Sequence, residues 1–224
     1  MSLLTCKGLL FSYLKIPDTL VTTGSSDPDL ATQAQILAAI NGKYQSIATD
    51  NKCIEKEVTI TVSTTSKEYS SAIPTDYIET IALTSSVSPK ALKATFRADS
   101  DLISGSGFSY YSLYGENIII FDATQACGDT SIRHTYWAIP ASLSADIDEF
   151  KYPLRNWERL IALGTAVDLL AKDMSQSALE RLPFIQTLYQ DELSRFQNMW
   201  SSKLARNAGI LDQTHMVGGY SQID

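Results

Sequence analysis

Residues 131–174 read SIRHTYWAIPASLSADIDEFKYPLRNWERLIALGTAVDLLAKDM, and the changes of character along them decide the fold. Ser131 to Ala138 is a hydrophobic strand, and Ile139-Pro140 opens an acidic loop. Trp157, Leu160, Ile161, Gly164, Val167, Asp168 and Ala171 then fall near a period of 3.6 and predict a helix. Asp146, Asp148 and Glu149 stand ahead of it, where acids suit the positive end of its dipole. A further helical pattern meets Pro183, which either kinks it or starts a fresh helix, because proline lacks a donor and crowds the preceding turn. From there Ile185, Tyr189, Leu193, Phe196, Trp200 and Leu204 make a stripe about five turns long. Arg206-Asn207-Ala208-Gly209 reads as its end, with residues 210–224 a polar, glycine-containing tail without a period. Strand, loop and two long helices form an assembly pattern with no catalytic constellation inside it.

Working outward, residues 56–140 are rich in strand signals. Val58, Ile60 and Val62 alternate with threonines, as in a strand with one face buried and one wet. Similar signals recur at residues 77–83, 91–96, 117–121 and 131–137, separated by turn-rich pieces at 85–90, 104–107 and 126–129. The continuous apolar run in Asn117–Phe121 predicts a strand covered on both faces or placed at a subunit contact. The first 51 residues read helical. A segment over Leu3–Leu14 is followed by the turn Gly24-Ser25-Ser26, the start signal Asp27-Pro28-Asp29, and a stripe of Leu30, Ala34, Ile36, Leu37, Ile40, Tyr44 and Ile47. Asn41-Gly42 weakens this helix without breaking it.

The expectation is an α+β protein: a helical bundle with an inserted antiparallel β-domain and an extended C-terminal tail. Residues 1–55 supply the N-terminal part of the bundle, 56–140 the β-domain, 141–207 the two long C-terminal helices, and 208–224 the tail. The bundle core is expected around Leu37, Ile40, Trp157, Ile161, Leu188, Phe196 and Trp200.

Composition narrows the function classes. The chain has 224 residues, 44% of them hydrophobic, enough for one good core or two small ones. Eighteen basic against twenty-five acidic residues give a net charge of −7, which argues against a nucleic-acid grip by bulk charge. Cys6, Cys53 and Cys127 are odd in number, widely spaced and without a C-x-x-C, so neither a disulfide framework nor a zinc knuckle is expected. Leu9-Leu10-Phe11, bracketed by Lys7 and Lys15, is too short for a membrane span or a signal-peptide core, so the expectation is a soluble protein made in the cytoplasm.

Candidate catalytic and cofactor motifs fall short one by one. His134 lies in a strand pattern and His215 in the tail, with no nucleophile motif near either. Gly105-Ser106-Gly107 lacks the third glycine and the following helix of a dinucleotide loop. Asp99 and Asp101 begin like a calcium loop, but Ile103 takes the next ligand position. Asp146, Asp148 and Glu149 have no partner acid placed for a hydrolase or metal site. Neither an enzyme nor a bound cofactor or metal is expected. The alternative is a carbohydrate- or protein-binding β-sandwich, for which Tyr110, Tyr111, Tyr114, Tyr136 and Trp137 would supply the stacking surface.

The order of DPDLATQAQILAAINGKYQSIA (27–48), EVTITVSTTSKEYSSAIPTDYIETIALTS (57–85), IIIF (118–121) and the 131–174 stretch resembles the head-to-tail adaptor proteins of tailed bacteriophages over nearly the whole chain. The matching elements are Ile40-Asn41 with Tyr44, Ile73-Pro74-Thr75-Asp76-Tyr77, Tyr136-Trp137-Ala138-Ile139-Pro140, and Tyr152-Pro153. The Ser/Gly-rich stretch 90–112 and the tail beyond Arg206 depart from that family's pattern. The resemblance implies a virion protein at the capsid vertex, between head and tail. Its copies would form a ring, usually of twelve, below the portal protein, extend the channel for double-stranded DNA without reading its sequence, and offer a platform to tail and neck proteins. It also implies a C-terminal segment that docks on the portal, for which Ile210, Leu211, Met216, Val217, Tyr220 and Ile223 are the apolar anchors here. The acidic charge suits a channel wall, because negative walls repel phosphate and let a duplex slide.

Overall fold

The computed structural model describes residues 2–15, 33–62, 68–85, 92–94, 110–121, 131–173 and 175–216. Four helices run through them: α1 (Leu3–Leu14), α2 (Gln33–Asp50), α3 (Glu158–Leu170) and α4 (Gln176–Met216). The strands are β1 (Glu55–Thr61), β2 (Glu68–Ala72), β3 (Tyr77–Ser85), β4 (Lys93–Ala94), β5 (Tyr110–Tyr114), β6 (Asn117–Phe121) and β7 (Ser131–Ala138). The protein is therefore α+β, and the chain divides into two compact units, Met1–Ile47 with Ala141–Asp224, and Ala48–Pro140.

In the helical unit α3 is the central element. Every residue from Leu160 to Ala166 is buried, as expected of a helix apolar all round. Thr165 keeps its hydroxyl satisfied by donating to the Ile161 carbonyl at 2.8 Å. Helix α1 lays Leu3, Cys6, Leu10 and Phe11 inward and packs on α3. It ends at Lys15, whose left-handed φ of 54° returns its amide to the Phe11 and Ser12 carbonyls. The Arg181 guanidinium donates to the Leu14 carbonyl at 3.1 Å, placing a cation at the negative end of α1. Helix α4 crosses α3 with Phe196 edge-on to Trp157 at 5.3 Å.

Gly164 marks a close crossing. A Cβ there would stand 2.8 Å from Lys43 Cδ and from Tyr189 Cε2. Its absence lets the Lys43 stem pass over α3, reach Asp168 Oδ2 at 2.8 Å and set its ammonium over the Tyr189 ring. Of the seven residues expected at the bundle core, Ile40, Ile161 and Phe196 are fully buried, while Leu37, Trp157, Leu188 and Trp200 are half-buried.

The β unit holds two sheets, ordered β1-β7-β3 and β2-β6-β5-β4. Pairing is antiparallel except for the short parallel pair β4 and β5. The core between the sheets takes Ile60, Leu83 and Ile132 from one and Ile118 and Ile120 from the other, with Val62 and Leu92 at their ends. Ile118, Ile119 and Ile120 are all buried, as the continuous run predicts for a strand covered on both faces. Ile60 and Val62 are buried as their alternation predicts, but Val58 remains exposed. It stands opposite His134 on the edge strand β1.

Three expectations need correction. The acids at 146–149 do not open a helix, since a turn, the residues 150–153 and a single 3-10 turn at Leu154–Asn156 intervene before α3, whose first-turn acid is Glu158. Of the two outcomes expected at Pro183, a kink or a fresh helix, the fresh helix does not occur, since Pro183 stands within α4. It costs one bond, to the carbonyl of exposed Leu179, where water is available. Nor does α4 stop at 206–209. It continues to Met216 and carries Ile210, Leu211 and Met216 in helical backbone rather than in an extended tail. Ala208 is a strong helix former, and a single interior glycine costs only about 1 kcal/mol, too little to end a long helix. The start signal at 27–29, Gly24 to Ser26, Asp99, Asp101, Ile103, Gly105 to Gly107, Cys127, Val217, Tyr220 and Ile223 lie outside the described residues.

Candidate functional site

The elements that carry the family resemblance are where the fold fastens its loops. In the β unit, Pro74, Thr75 and Asp76 lead into β3, and Tyr136 lies on β7. The Tyr136 hydroxyl donates to Asp76 Oδ1 at 3.0 Å, Lys56 on β1 pairs with the other carboxylate oxygen, and the Ile139 amide donates to the Asp76 carbonyl at 2.7 Å. Burial pushes the Asp76 carboxyl up, but the Lys56 and Tyr136 hydrogen bonds and the Lys56 charge outweigh it and hold the group below the usual carboxylate range. The Tyr136 hydroxyl is pushed up to about 12 by burial and by the carboxylate it serves. The two motifs thus meet as one clasp between β3 and β7.

His134 completes this end of the sheet. It is fully buried, its ring lies 5.9 Å from Tyr77 and 5.0 Å from Tyr136, and Nε2 shares a 3.1 Å hydrogen bond with Thr80 Oγ1. Nδ1 has no hydrogen-bond partner among the described residues. Burial lowers its pKa and favours the neutral imidazole. Its hydrogen-bonding partner is a hydroxyl rather than a carboxylate, and its burial shields it from solvent, an arrangement suited to packing rather than to general base catalysis.

In the helical unit, the loop between residues 141 and 153 is held from both sides. Asn41 on α2 donates through Nδ2 to the Leu143 carbonyl at 2.9 Å and accepts the Leu143 amide at 2.8 Å. Tyr44, one turn on, accepts the Lys151 amide at 2.8 Å and meets the Phe150 ring edge-on at 5.0 Å. Asparagine weakens a helix interior, but here its side chain does for a passing loop what a strand partner would do. Between these points the Asp148 carboxylate accepts the Ser144 amide at 2.7 Å and the Ala145 amide at 2.8 Å. Those bonds hold its carboxyl below the usual range. The Leu3 and Leu4 amides donate to the carbonyls of Asp148 and Asp146, and Lys7 pairs with Asp146. The acids are turn braces, a role the Ser144 to Asp148 spacing signals once the turn is known.

Cys6 and Cys53 are buried free thiols. Burial pushes each up to about 12, for Cys6 with the Glu158 carboxylate adding to it, which leaves them chemically quiet. No group of three or more His, Cys, Asp or Glu suited to a metal occurs among the described residues. No helix there is long and apolar enough to cross a membrane. The aromatics considered for stacking are split. Tyr110, Tyr111 and Tyr114 belong to β5, with Tyr111 packed on the core, while Tyr136 and Trp137 are successive residues of β7 and face opposite sides of it.

Several large apolar side chains stand exposed among the described residues. Ile147 is 84% exposed and Phe184 66%, and Leu4, Leu113, Tyr114, Tyr152 and Leu179 are also largely uncovered. Leu113 and Tyr114 end β5 just before the Gly115-Glu116 turn of the β5–β6 hairpin, whose Gly115 takes a positive φ of 59°. Ile147 tops the braced turn just described. Of the six tail anchors expected from sequence, Ile210, Leu211 and Met216 lie on the last turns of α4.

No curated protein matches the chain in sequence. The profile of the family described as SU10 adaptor protein matches residues 12–220. That span holds both clasps, both sheets and all of α4. The chain belongs to the SU10 adaptor protein family, a family of phage head-to-tail adaptors, and is a phage structural protein.

Proposed function

We propose that the protein is a head-to-tail adaptor whose copies, twelve in number, form a ring below the portal, extend the DNA channel and give the tail and neck proteins their attachment platform. The observation that carries this reading, beyond family membership, is large apolar side chains held in the open on braced elements, Ile147 foremost. The virion site is the capsid vertex between head and tail, and the partners are the portal, tail or neck proteins and other copies of this chain.

The mechanism is one of avidity. A single contact of roughly millimolar strength, about −4 kcal/mol, holds nothing. A closed ring makes each further contact intramolecular, so many weak copies bind as one. The net charge of −7 per copy repels duplex phosphate, so passing DNA is guided rather than held. Portal contact falls to the C-terminal segment through Ile210, Leu211, Met216, Val217, Tyr220 and Ile223, with its first part presented as helix. Deleting residues 210–224 tests this assignment. The truncated protein should lose only the helical signal of residues 210–216 and keep its thermal midpoint, yet fail to co-sediment with portal rings. Undiminished co-sedimentation would move portal contact to another surface.

A further inference from the structure

Asn41 holds the loop at Leu143, yet the residue that follows it is the one that makes an asparagine chemically least durable. Of the chain's asparagines, only Asn41 precedes a glycine. Without a Cβ beside it, a glycine nitrogen comes up to the preceding side-chain carbonyl carbon more easily than the nitrogen of any other residue. Once that nitrogen has given its proton to hydroxide, it attacks the asparagine Cγ. The N–Cγ bond forms, the Cγ–Nδ2 bond breaks, and Nδ2 takes protons from water and leaves as ammonia. The succinimide ring so formed adds water at either of its carbonyl carbons and opens to aspartate or to isoaspartate. Water is the only co-reactant, and nothing is oxidised or reduced.

The fold withholds what this reaction needs. Gly42 lies inside α2, where its amide is committed to the Ala38 carbonyl one turn back and is not free to attack. The Asn41 side chain is held on the loop, with Nδ2 on the Leu143 carbonyl at 2.9 Å and Oδ1 on the Leu143 amide at 2.8 Å. Asn41 is buried, whereas a Cβ built at Gly42 meets nothing within 4 Å. Solvent therefore meets the glycine backbone as soon as this part of α2 opens. We propose that Asn41 is a latent deamidation site, locked while α2 and the Leu143 clasp are closed and released when they open. Its product disables the clasp. Aspartate at this position can still accept the Leu143 amide, but its carboxylate has no hydrogen for the Leu143 carbonyl and brings a charge into a buried site. Isoaspartate lengthens the backbone of α2 and displaces Tyr44 from the Lys151 amide and the Phe150 ring. A copy that stays open long enough to react cannot close its 141–153 loop in the same way again.

The test uses the full-length protein and its Gly42→Ala variant in mildly alkaline buffer with a thiol reductant, one portion of each folded and one unfolded in guanidinium chloride. Alanine at position 42 has room in the fold, leaves the clasp in place and hinders ring closure. Mass spectrometry of the tryptic peptide that ends at Lys43 follows the exchange of amide for acid. Dilution of the unfolded portions, followed by circular dichroism, gives the fraction that refolds. Conversion in the folded parent should be about a hundredfold or more slower than in the unfolded chain, because the folded protein reacts only through its open states. The refolding fraction of the unfolded parent should fall in step with conversion, while Gly42→Ala changes little on either measure. Asn41→Asp, which supplies one product directly, should show a lower denaturation midpoint than the parent. Equal conversion rates in the folded and unfolded parent would overturn the lock. Full refolding of the converted chain, or an Asn41→Asp midpoint equal to the parent's, would overturn its effect on the clasp. A refolding loss in Gly42→Ala as large as the parent's, without conversion, would assign the loss to other damage and overturn it as well.

Discussion

Replacing Asn41 by alanine should destabilise the helical unit by about 2–4 kcal/mol, the sum for two buried backbone groups left without partners at roughly 1–3 kcal/mol each, reduced for partial access of water. The side chain closes two hydrogen bonds to one residue, accepting the Leu143 amide at 2.8 Å and donating to its carbonyl at 2.9 Å. Asn41 and Leu143 are buried but not sealed, so water reaches the vacated groups only in part. For a chain of this length the change corresponds to a fall in Tm of roughly 5–15 °C. Urea denaturation followed by tryptophan fluorescence is a suitable assay, because Trp157 and Trp200 belong to the same compact unit as Asn41. Asn41→Leu is the informative companion. It keeps the volume and removes only the hydrogen bonds, so it should cost nearly as much as alanine. A cost below about 0.5 kcal/mol for both would refute the clasp, being less than one net hydrogen bond contributes. Recovery by leucine alone would show that packing holds the loop.

Gly164→Ala should cost about 1–3 kcal/mol by overpacking, because the new methyl meets the Lys43 stem and the Tyr189 ring at 2.8 Å. Gly8→Ala, with nothing within 4 Å, should instead stabilise α1 by about 0.5–1 kcal/mol, and thermal denaturation of the two separates these signs. Burial lowers the His134 pKa, so the unfolded chain binds a proton that the fold resists. Stability should therefore fall as pH drops below about 6.5, the unfolded histidine value, and continue falling through the folded pKa. Urea midpoints against pH should show that slope weakened in His134→Gln, and an unchanged slope would assign it to other groups. Cys6 and Cys53, with thiols pushed up to about 12, should resist maleimide at neutral pH in the folded protein and label once urea unfolds it, as peptide mass spectrometry would show.

The sequence was most legible where one element's own residues determine its structure. Leu3–Leu14 is apolar enough to read as a helix, and the run Ile118-Ile119-Ile120 reads as a buried strand. β2 gives no strand signal because Glu68-Tyr69-Ser70-Ser71-Ala72 has little strand propensity of its own and is a strand through its pairing with β6. β5 stands out in sequence only by its tyrosines, since its register comes from the Gly115-Glu116 turn. The acids at 146–149 look like the entry to a helix because a dipole argument cannot see the intervening turn at residues 154–156. Asn41 looks like a weakness in α2, because its value lies in a residue 102 positions away. Exposed Ile147 carries no signal of its own in a sequence, since isolated apolar residues in loops are common.

Copies of this chain are proposed to stack as a ring on the portal. Purified protein should be mixed with a matching portal ring and the product weighed by mass photometry, then imaged by electron microscopy. The expected product is a second ring of as many copies as the portal has subunits, with the C-terminal segment of each copy ordered against the portal. A chain that remains monomeric beside intact portal rings would contradict it.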